Sequence, residues 1–316
     1  MPGANLEADL WLNEVLTPYD IYSHGASAIL AYRKTPYQEL YIIESGSYGK
    51  GLMLDGKWQS STKDEFIYHE GIVHPALILH QRPQKVLILG GAEGASIREV
   101  LRWKSIERVV MVDIDGEVVQ ACRELLPEMH QNAFDDPRVE LIIDDAQNFI
   151  ATTQEKWDAV ISDLTDPIEQ GPAYPLFTQE HYQQIQKILS PRGLLTVQSG
   201  SIIPSDLPIH ARLAKTLQSV FPYTRSCMGQ APSYGLQLSY ILASNTEFPY
   251  YPNPSETNRI LAEQTTGGLR YLDGDSLLGL MQTPKHVRDA IAQESEIYTL
   301  AAPPKFPGRG NVQEAP

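Results

Sequence analysis

Two cysteines in 316 residues, Cys122 and Cys227, provide neither the paired spacing of a metal knuckle nor the density of a disulfide framework. They read as buried thiols in a reducing compartment. No stretch approaches the roughly 18 consecutive apolar residues of a membrane span. The opening MPGANLEADLWLNEVL also lacks the basic start and apolar run of a secretory leader. The expectation is a cytoplasmic protein with no membrane partner. Basic residues are scarce, 25 against 39 acidic ones, for a net charge of -14. Such a field repels nucleic-acid backbones and attracts cations, so no nucleic-acid partner is expected. Internal repeats are missing as well, and the length fits one large domain or one domain with a small satellite.

The stretch to about Glu65 has short alternating runs, YDIYSHGASAILAYRK, ELYIIESGSYGKGLMLDG and WQSSTKDEF, broken at Gly46, Gly49, Gly51 and the Asp55 and Gly56 pair. Strands that reverse at such points form a small antiparallel β domain, placed over residues 1–65. FIYHEGIVHPALILH has apolar residues at helical spacing. The pattern then becomes strand, turn and helix in repetition: KVLILGG with ASIREVLRW, RVVMVDID with GEVVQACRELL, VELIIDDA with QNFIATT, WDAVISDLTDP with TQEHYQQIQKIL, and GLLTVQSG. A helix around HARLAKTLQSVF and the strand QLSYILAS follow. Near-continuous Val, Ile and Leu runs mean strands covered on both faces, hence an α/β fold with a doubly wound, mostly parallel, Rossmann-like sheet over residues 66–248. FPYYPNPSETN reads as a linker. TNRILAEQ and TPKHVRDAIAQ read as a helical extension over residues 249–300, and residues 301–316 as a disordered tail.

Ligands of open parallel sheets bind at the carboxyl ends of the strands. Here those ends carry Gly90, Gly91, Ala92, Glu93 and Gly94, then Asp113 and Asp115, then Asp144 and Asp145, then Asp163 and Asp166. A glycine turn permits close backbone approach, and an acid ending the second strand is placed to bind both hydroxyls of a ribose. The turn is not a dinucleotide fingerprint, because Ala92 stands where the second glycine would be. It is not a P-loop, because no GK[ST] follows. An adenosine ligand without a pyrophosphate remains, S-adenosylmethionine or a relative.

Glu93 separates the relatives. A Glu in the glycine turn repels an amino-acid carboxylate and attracts the ammonium of the decarboxylated form. Asp163 and Asp166 in SDLTDP lie three apart at a strand end, where Pro167 stops regular structure. Turn capping is the plain alternative for such a pair. A crevice with so many carboxylates nevertheless calls for a polycation.

LDGKWQSSTKDEFIYHE, VLILGGAEG followed by REVL, VVMVDIDGEVV, FDDPRVELIIDDA and DAVISDLTDP together resemble the polyamine aminopropyltransferase family, the spermidine and thermospermine synthases. The resemblance runs from about Gln38 to about Ser244. It implies a methyltransferase-type sheet and transfer of the aminopropyl group of decarboxylated S-adenosylmethionine, a co-substrate, to an amine, with no further cofactor and no metal. It implies Asp163 as proton acceptor. Asp166, His69 and Tyr68 would hold the acceptor amine, and Glu93 the aminopropyl ammonium or nearby amine nitrogens. Gln38, Gly90, Gly91, Asp113, Asp145 and Ala146 would contact the nucleoside, with Pro172 bordering the adenine. Tyr234 of APSYG resembles an aromatic residue flanking the amine channel, and a core tyrosine is its plain alternative. A homodimer or homotetramer is implied from the family alone.

The turn departs from the GGGDG of putrescine-using spermidine synthases, since it reads GGAEG. That turn, DLTDP, HQNAFDDPR and YHEGIVHPA are closer to agmatine and triamine transferases and to thermospermine synthases. The sequence leaves putrescine, agmatine and spermidine open as acceptors. The rival functions are a methyltransferase of the same fold, a noncatalytic polyamine-binding protein and a nicotinamide oxidoreductase.

Overall fold

The computed structural model describes residue 8, residues 10–167 and residues 173–304. Strands β1 (Leu10–Thr17), β2 (Asp20–Lys34), β3 (Glu39–Ser45), β4 (Gly49–Leu54) and β5 (Lys57–Ser61) pair in sequence order as an antiparallel sheet. Asp55, with φ of 49°, and Gly56, with φ of 74°, turn β4 into β5. Two successive left-handed residues are what a tight hairpin of this hand requires. Helix α1 (Glu65–His80) follows and is buried along most of its length.

The second sheet is built from β6 (Lys85–Gly90), α2 (Ala95–Leu101), β7 (Arg108–Asp113), α3 (Gly116–Leu125), α4 (Pro127–His130), β8 (Val139–Ile143), α5 (Ala146–Thr152), β9 (Trp157–Asp163), α6 (Gln179–Ile188), β10 (Leu189–Ser201), α7 (Leu207–Gln218), β11 (Tyr223–Gly229) and β12 (Leu238–Ser244). Its strand order is β11-β12-β10-β9-β6-β7-β8, parallel from β8 to β10 and antiparallel where β12 enters. Alternate residues of one strand face opposite cores. Val86 and Ile88 join the cluster that contains α1, α2 and α3, whereas Leu87 and Leu89 join the cluster that contains α6 and α7. Double-sided burial explains why these strands read as unbroken apolar runs.

β11, YTRSCMG, has neither alternation nor an apolar run and was not expected. The residues after β12 also differ from expectation. Helix α8 spans Pro254–Gln264, so PSETN belongs to the helix and not to a linker. Asn253 accepts from Glu256 N at 3.1 Å and Pro254 occupies the first turn, where no N–H is needed. α9 (Gly274–Leu280) and α10 (Lys285–Gln293) complete the extension. Of the expected tail, residues 305–316 lie outside the described residues. Among the described residues no helix is long and apolar enough to cross a membrane. Cys122 and Cys227 are buried free thiols.

Candidate active site

The crevice opens along the carboxyl ends of β6, β7 and β9 and continues beneath the first sheet. Gly90, Gly91, Glu93, Asp113, Asp145 and Asp163 all line it. Gly90 and Gly91 have φ of 80° and 79°. A Cβ on Gly90 would lie 2.3 Å from the Asp163 carbonyl oxygen, and one on Gly91 3.2 Å from Asp163 Oδ2. The two glycines therefore let β6 close against the end of β9 and bring Asp163 to the turn.

Asp163 Oδ1 accepts from the Tyr68 hydroxyl at 2.6 Å and Oδ2 from Ser96 Oγ at 2.7 Å. Burial raises its pKa, the charge of Glu93 raises it further, and His69, Tyr68 and Ser96 oppose. Asp113 stands at about 7, raised by burial and by the charges of Asp115, Glu93 and Asp163, against one N–H bond from Asp115 at 2.9 Å. These are carboxylates poised to gain from a cation or from hydroxyl donors.

Glu93 behaves differently. Burial alone would neutralise it, but His69 holds it below the usual carboxylate range. His69 Nε2 is 3.0 Å from Glu93 Oε1, and Nδ1 is 2.9 Å from Glu65 Oε2. Both ring nitrogens face carboxylate oxygens, so both donate and the ring is an imidazolium. Burial would lower its pKa, yet hydrogen bonds to Glu65 and Glu93 raise it to about 10. Behind it Arg98 Nη2 reaches Glu65 Oε2 at 2.9 Å, Arg98 Nε reaches Glu99 Oε1 at 2.7 Å, and Arg102 Nε reaches Glu99 Oε2 at 2.6 Å. Glu93, His69, Glu65, Arg98, Glu99 and Arg102 thus form a ladder of alternating charge that runs out of the crevice through the core.

His69 corrects one expectation. It has no exposed surface and does not line the crevice, and Glu93 stands between it and the open space. Gln38 lines the crevice and donates Nε2 to Asp115 Oδ2 at 3.1 Å. Asp115 also accepts from Thr35 Oγ1 at 2.6 Å and caps α3, which joins the first sheet to the second. Asp145 caps α5 through Gln147 N at 2.8 Å, with Ala146 beside it. Pro172 lies outside the described residues.

At the other end Asp166 Oδ1 accepts from Gln198 Nε2 at 2.9 Å. Tyr234 stacks on Tyr68 at 5.8 Å and donates its hydroxyl to the Gln59 carbonyl. Its loop is held by Asp64, which accepts from Ser233 N at 2.7 Å and from Ser233 Oγ at 2.8 Å. Beyond Asp166 lie Glu14, from β1, and Asp206, before α7. Burial raises both of their pKa values, Lys57 opposes in each case, and the charge of Asp166 adds to each rise. Lys57 Nζ is 3.5 Å from Glu14 Oε1. Sequence reasoning missed Glu14, Ser96, Gln198 and Asp206, which lie outside the strand-end motifs.

A glycine turn at the ends of a parallel sheet and a crevice lined by carboxylates suit a group-transfer enzyme that acts on a cationic substrate. Residues 65–251 match the spermine/spermidine synthase domain, and residues 10–61 match the spermidine synthase tetramerisation domain. The chain belongs to the polyamine aminopropyltransferase family and has polyamine aminopropyltransferase activity. The polyamine aminopropyltransferase of Synechococcus sp. is 52% identical over 303 residues, covering 94% of this chain and 97% of the relative. That of Aeropyrum pernix is 43% identical, covering 92% and 93%. A crystal structure of spermidine synthase in complex with the transition state analogue AdoDATO superposes with a TM-score of 0.82 at 27% identity, covering 93% of this chain and 97% of that one. The spermidine synthase from Thermotoga maritima does so at 0.81 and 27%, covering 90% and 95%.

Proposed function

We propose that the chain transfers the aminopropyl group of decarboxylated S-adenosylmethionine to a dicationic acceptor, putrescine or agmatine, and releases methylthioadenosine. Asp163 is the proton acceptor. The observation that carries this reading is the placement of Asp163, fixed by Tyr68 and Ser96 between the Glu93 turn and the Asp166 end of one crevice.

Asp113, Asp145, Ala146 and Gln38 receive the nucleoside. Glu93, kept ionised by His69, receives the aminopropyl ammonium and gives an amino-acid carboxylate nothing but repulsion, which disfavours a methyltransferase. The acceptor nitrogen attacks the methylene carbon beside the sulfonium. A C–N bond forms, the C–S bond breaks, and its electron pair stays on sulfur. An alkyl ammonium with a pKa of about 10.4 must first lose its proton, at a cost of about 4.6 kcal/mol at neutral pH. Asp163, whose pKa is raised, takes that proton better than an ordinary carboxylate does. The far cation of the acceptor rests among Asp166, Glu14 and Asp206.

Assembly as a homodimer or homotetramer uses the first sheet. The support is the tetramerisation-domain match together with β2, which exposes Ile21, Ile29 and Tyr32 at 63%, 44% and 53%.

The test is a product assay with decarboxylated S-adenosylmethionine and, separately, putrescine, agmatine and spermidine. Methylthioadenosine with putrescine or agmatine supports the reading. Turnover with spermidine alone replaces it by a triamine acceptor, and no methylthioadenosine with any of the three overturns it.

A further inference from the structure

Tyr68, His69 and Glu70 are consecutive residues of α1, and each ends on a different partner. Tyr68 donates to Asp163 at 2.6 Å, and His69 binds Glu93 at 3.0 Å. Glu70 has no exposed surface and points away from the crevice into the C-terminal extension. Its Oε1 accepts from Arg270 N at 2.8 Å, and its Oε2 from Tyr271 N and Leu272 N, both at 2.8 Å. Successive helical residues project about 100° apart, so one short length of helix serves three attachments at once.

The segment that meets Glu70 is itself fixed. Arg270 sets its guanidinium 3.7 Å from the centre of the Phe66 ring, one turn before Glu70 on the same helix. Arg102 Nη1 donates to Gly267 O at 2.8 Å, Thr266 N to Arg102 O at 2.8 Å, and Lys104 N to Gln264 O at 2.8 Å. Leu272 is buried in the core cluster with Leu277 and Leu280 of α9. Arg102 is also the outer end of the charge ladder that begins at Glu93. The extension therefore grips both α1 and the ladder.

From this we infer that residues 265–272 are a positioning strap for catalysis. Glu70, through three main-chain N–H bonds, fixes the rotation and height of α1, so that the Tyr68 hydroxyl meets Asp163 and the His69 imidazolium meets Glu93. Glu70 touches no substrate in this account and acts through its two neighbours. A carboxylate suits the role because its two oxygens accept several N–H bonds in one plane, which a neutral amide cannot match. The inference rests on the assignment of Asp163 as proton acceptor.

The experiment compares Glu70→Ala, Glu70→Gln, Tyr68→Phe and the double variant Glu70→Ala with Tyr68→Phe. Steady-state kinetics, methylthioadenosine binding and circular dichroism are measured on the full chain. The strap predicts a native spectrum and a kcat reduced about tenfold or more in Glu70→Ala. Methylthioadenosine affinity should stay within about twofold, because Gln38, Asp113 and Asp145 stand on other elements. Glu70→Gln, which keeps one acceptor oxygen, should recover part of kcat. The double variant should be little slower than Tyr68→Phe, since Glu70 acts partly through that hydroxyl. Unchanged kcat in Glu70→Ala, or fully additive losses in the double variant, overturns the strap. Unchanged kcat in Tyr68→Phe points instead to a wrong role for Asp163. If Glu70→Ala does not fold, Glu70→Gln decides the question by the same split between kcat and nucleoside affinity.

Discussion

His69 holds Glu93 in its ionised form: Nε2 and Oε1 are 3.0 Å apart, and the imidazole has no surface of its own in the crevice. A carboxylate buried among Asp113 and Asp163 would otherwise take up a proton. The pairing keeps the Glu93 carboxylate charged at the glycine turn, while the pKa values of Asp113 and Asp163 beside it are raised.

His69→Gln tests this arrangement. Breaking one partner of a buried ion pair costs about 3–5 kcal/mol. The pH window follows from both partners. The folded pKa of His69, about 10, lies above its ordinary 6.5, so its contribution is full below pH 6.5 and is lost as pH rises through 10. The folded pKa of Glu93 lies below its ordinary 4.5, so its contribution is full above pH 4.5 and is lost as pH falls through the folded value. The gap in thermal midpoint between wild type and variant is therefore expected to be widest between about pH 4.5 and 6.5 and to shrink toward pH 10. The acid limb of kcat/KM should move to higher pH, because Glu93 without its partner titrates later. An unchanged acid limb would mean that Glu93 does not depend on His69.

Nucleoside affinity should report the titration of Asp113. In the proposed nucleoside site ribose hydroxyls would donate to the ionised carboxylate, whose pKa burial and neighbouring acids raise to about 7. Methylthioadenosine should bind with constant affinity well above pH 7 and weaken by up to about tenfold per unit below it. Asp113→Asn should bind more weakly and lose that slope. Isothermal titration calorimetry over about pH 5.5–8.5 measures both, and a flat wild-type profile would remove Asp113 from the nucleoside site.

Two glycines should respond oppositely to alanine. Gly90→Ala forces a left-handed residue to carry a Cβ 2.3 Å from the Asp163 carbonyl. The backbone alone costs about 1–2 kcal/mol, and displacement of Asp163 should remove most turnover. Gly279→Ala, in α9, meets nothing within 4 Å among the described residues. It should stabilise the chain by about 0.5–1 kcal/mol and leave kcat unchanged. Thermal melts and turnover of both variants separate the two cases.

What could be read in advance was local. Val86 to Leu89 form a strand covered on both faces, and their apolar run says so. Gly90 and Gly91 open the turn after it, and acids follow at the ends of the neighbouring strands. The contacts that set the chemistry join residues far apart in the chain: Ser96 with Asp163, Gln198 with Asp166, Glu65 with Arg98, and Glu70 with residues 270–272. No local period encodes such pairings. β11 was missed because TRSC breaks every apolar pattern, yet its Cys227 packs in the core once β12 lies beside it. α9 was missed because GDSLLGL carries two glycines, and packing of Leu277 and Leu280 overrides their low helix propensity. The family resemblance implies that His69 holds the amine, whereas in the structure Glu93 stands between His69 and the crevice.

The most direct test of the central claim is single-turnover kinetics of Asp163→Asn beside its affinity for methylthioadenosine. Loss of a general base costs about 10²- to 10⁴-fold in rate, while Asp113 and Asp145, proposed to receive the nucleoside, are untouched. A fall of that size in aminopropyl transfer is expected, with methylthioadenosine affinity unchanged within about twofold. Transfer at near wild-type rate would contradict it and move the proton acceptor away from Asp163.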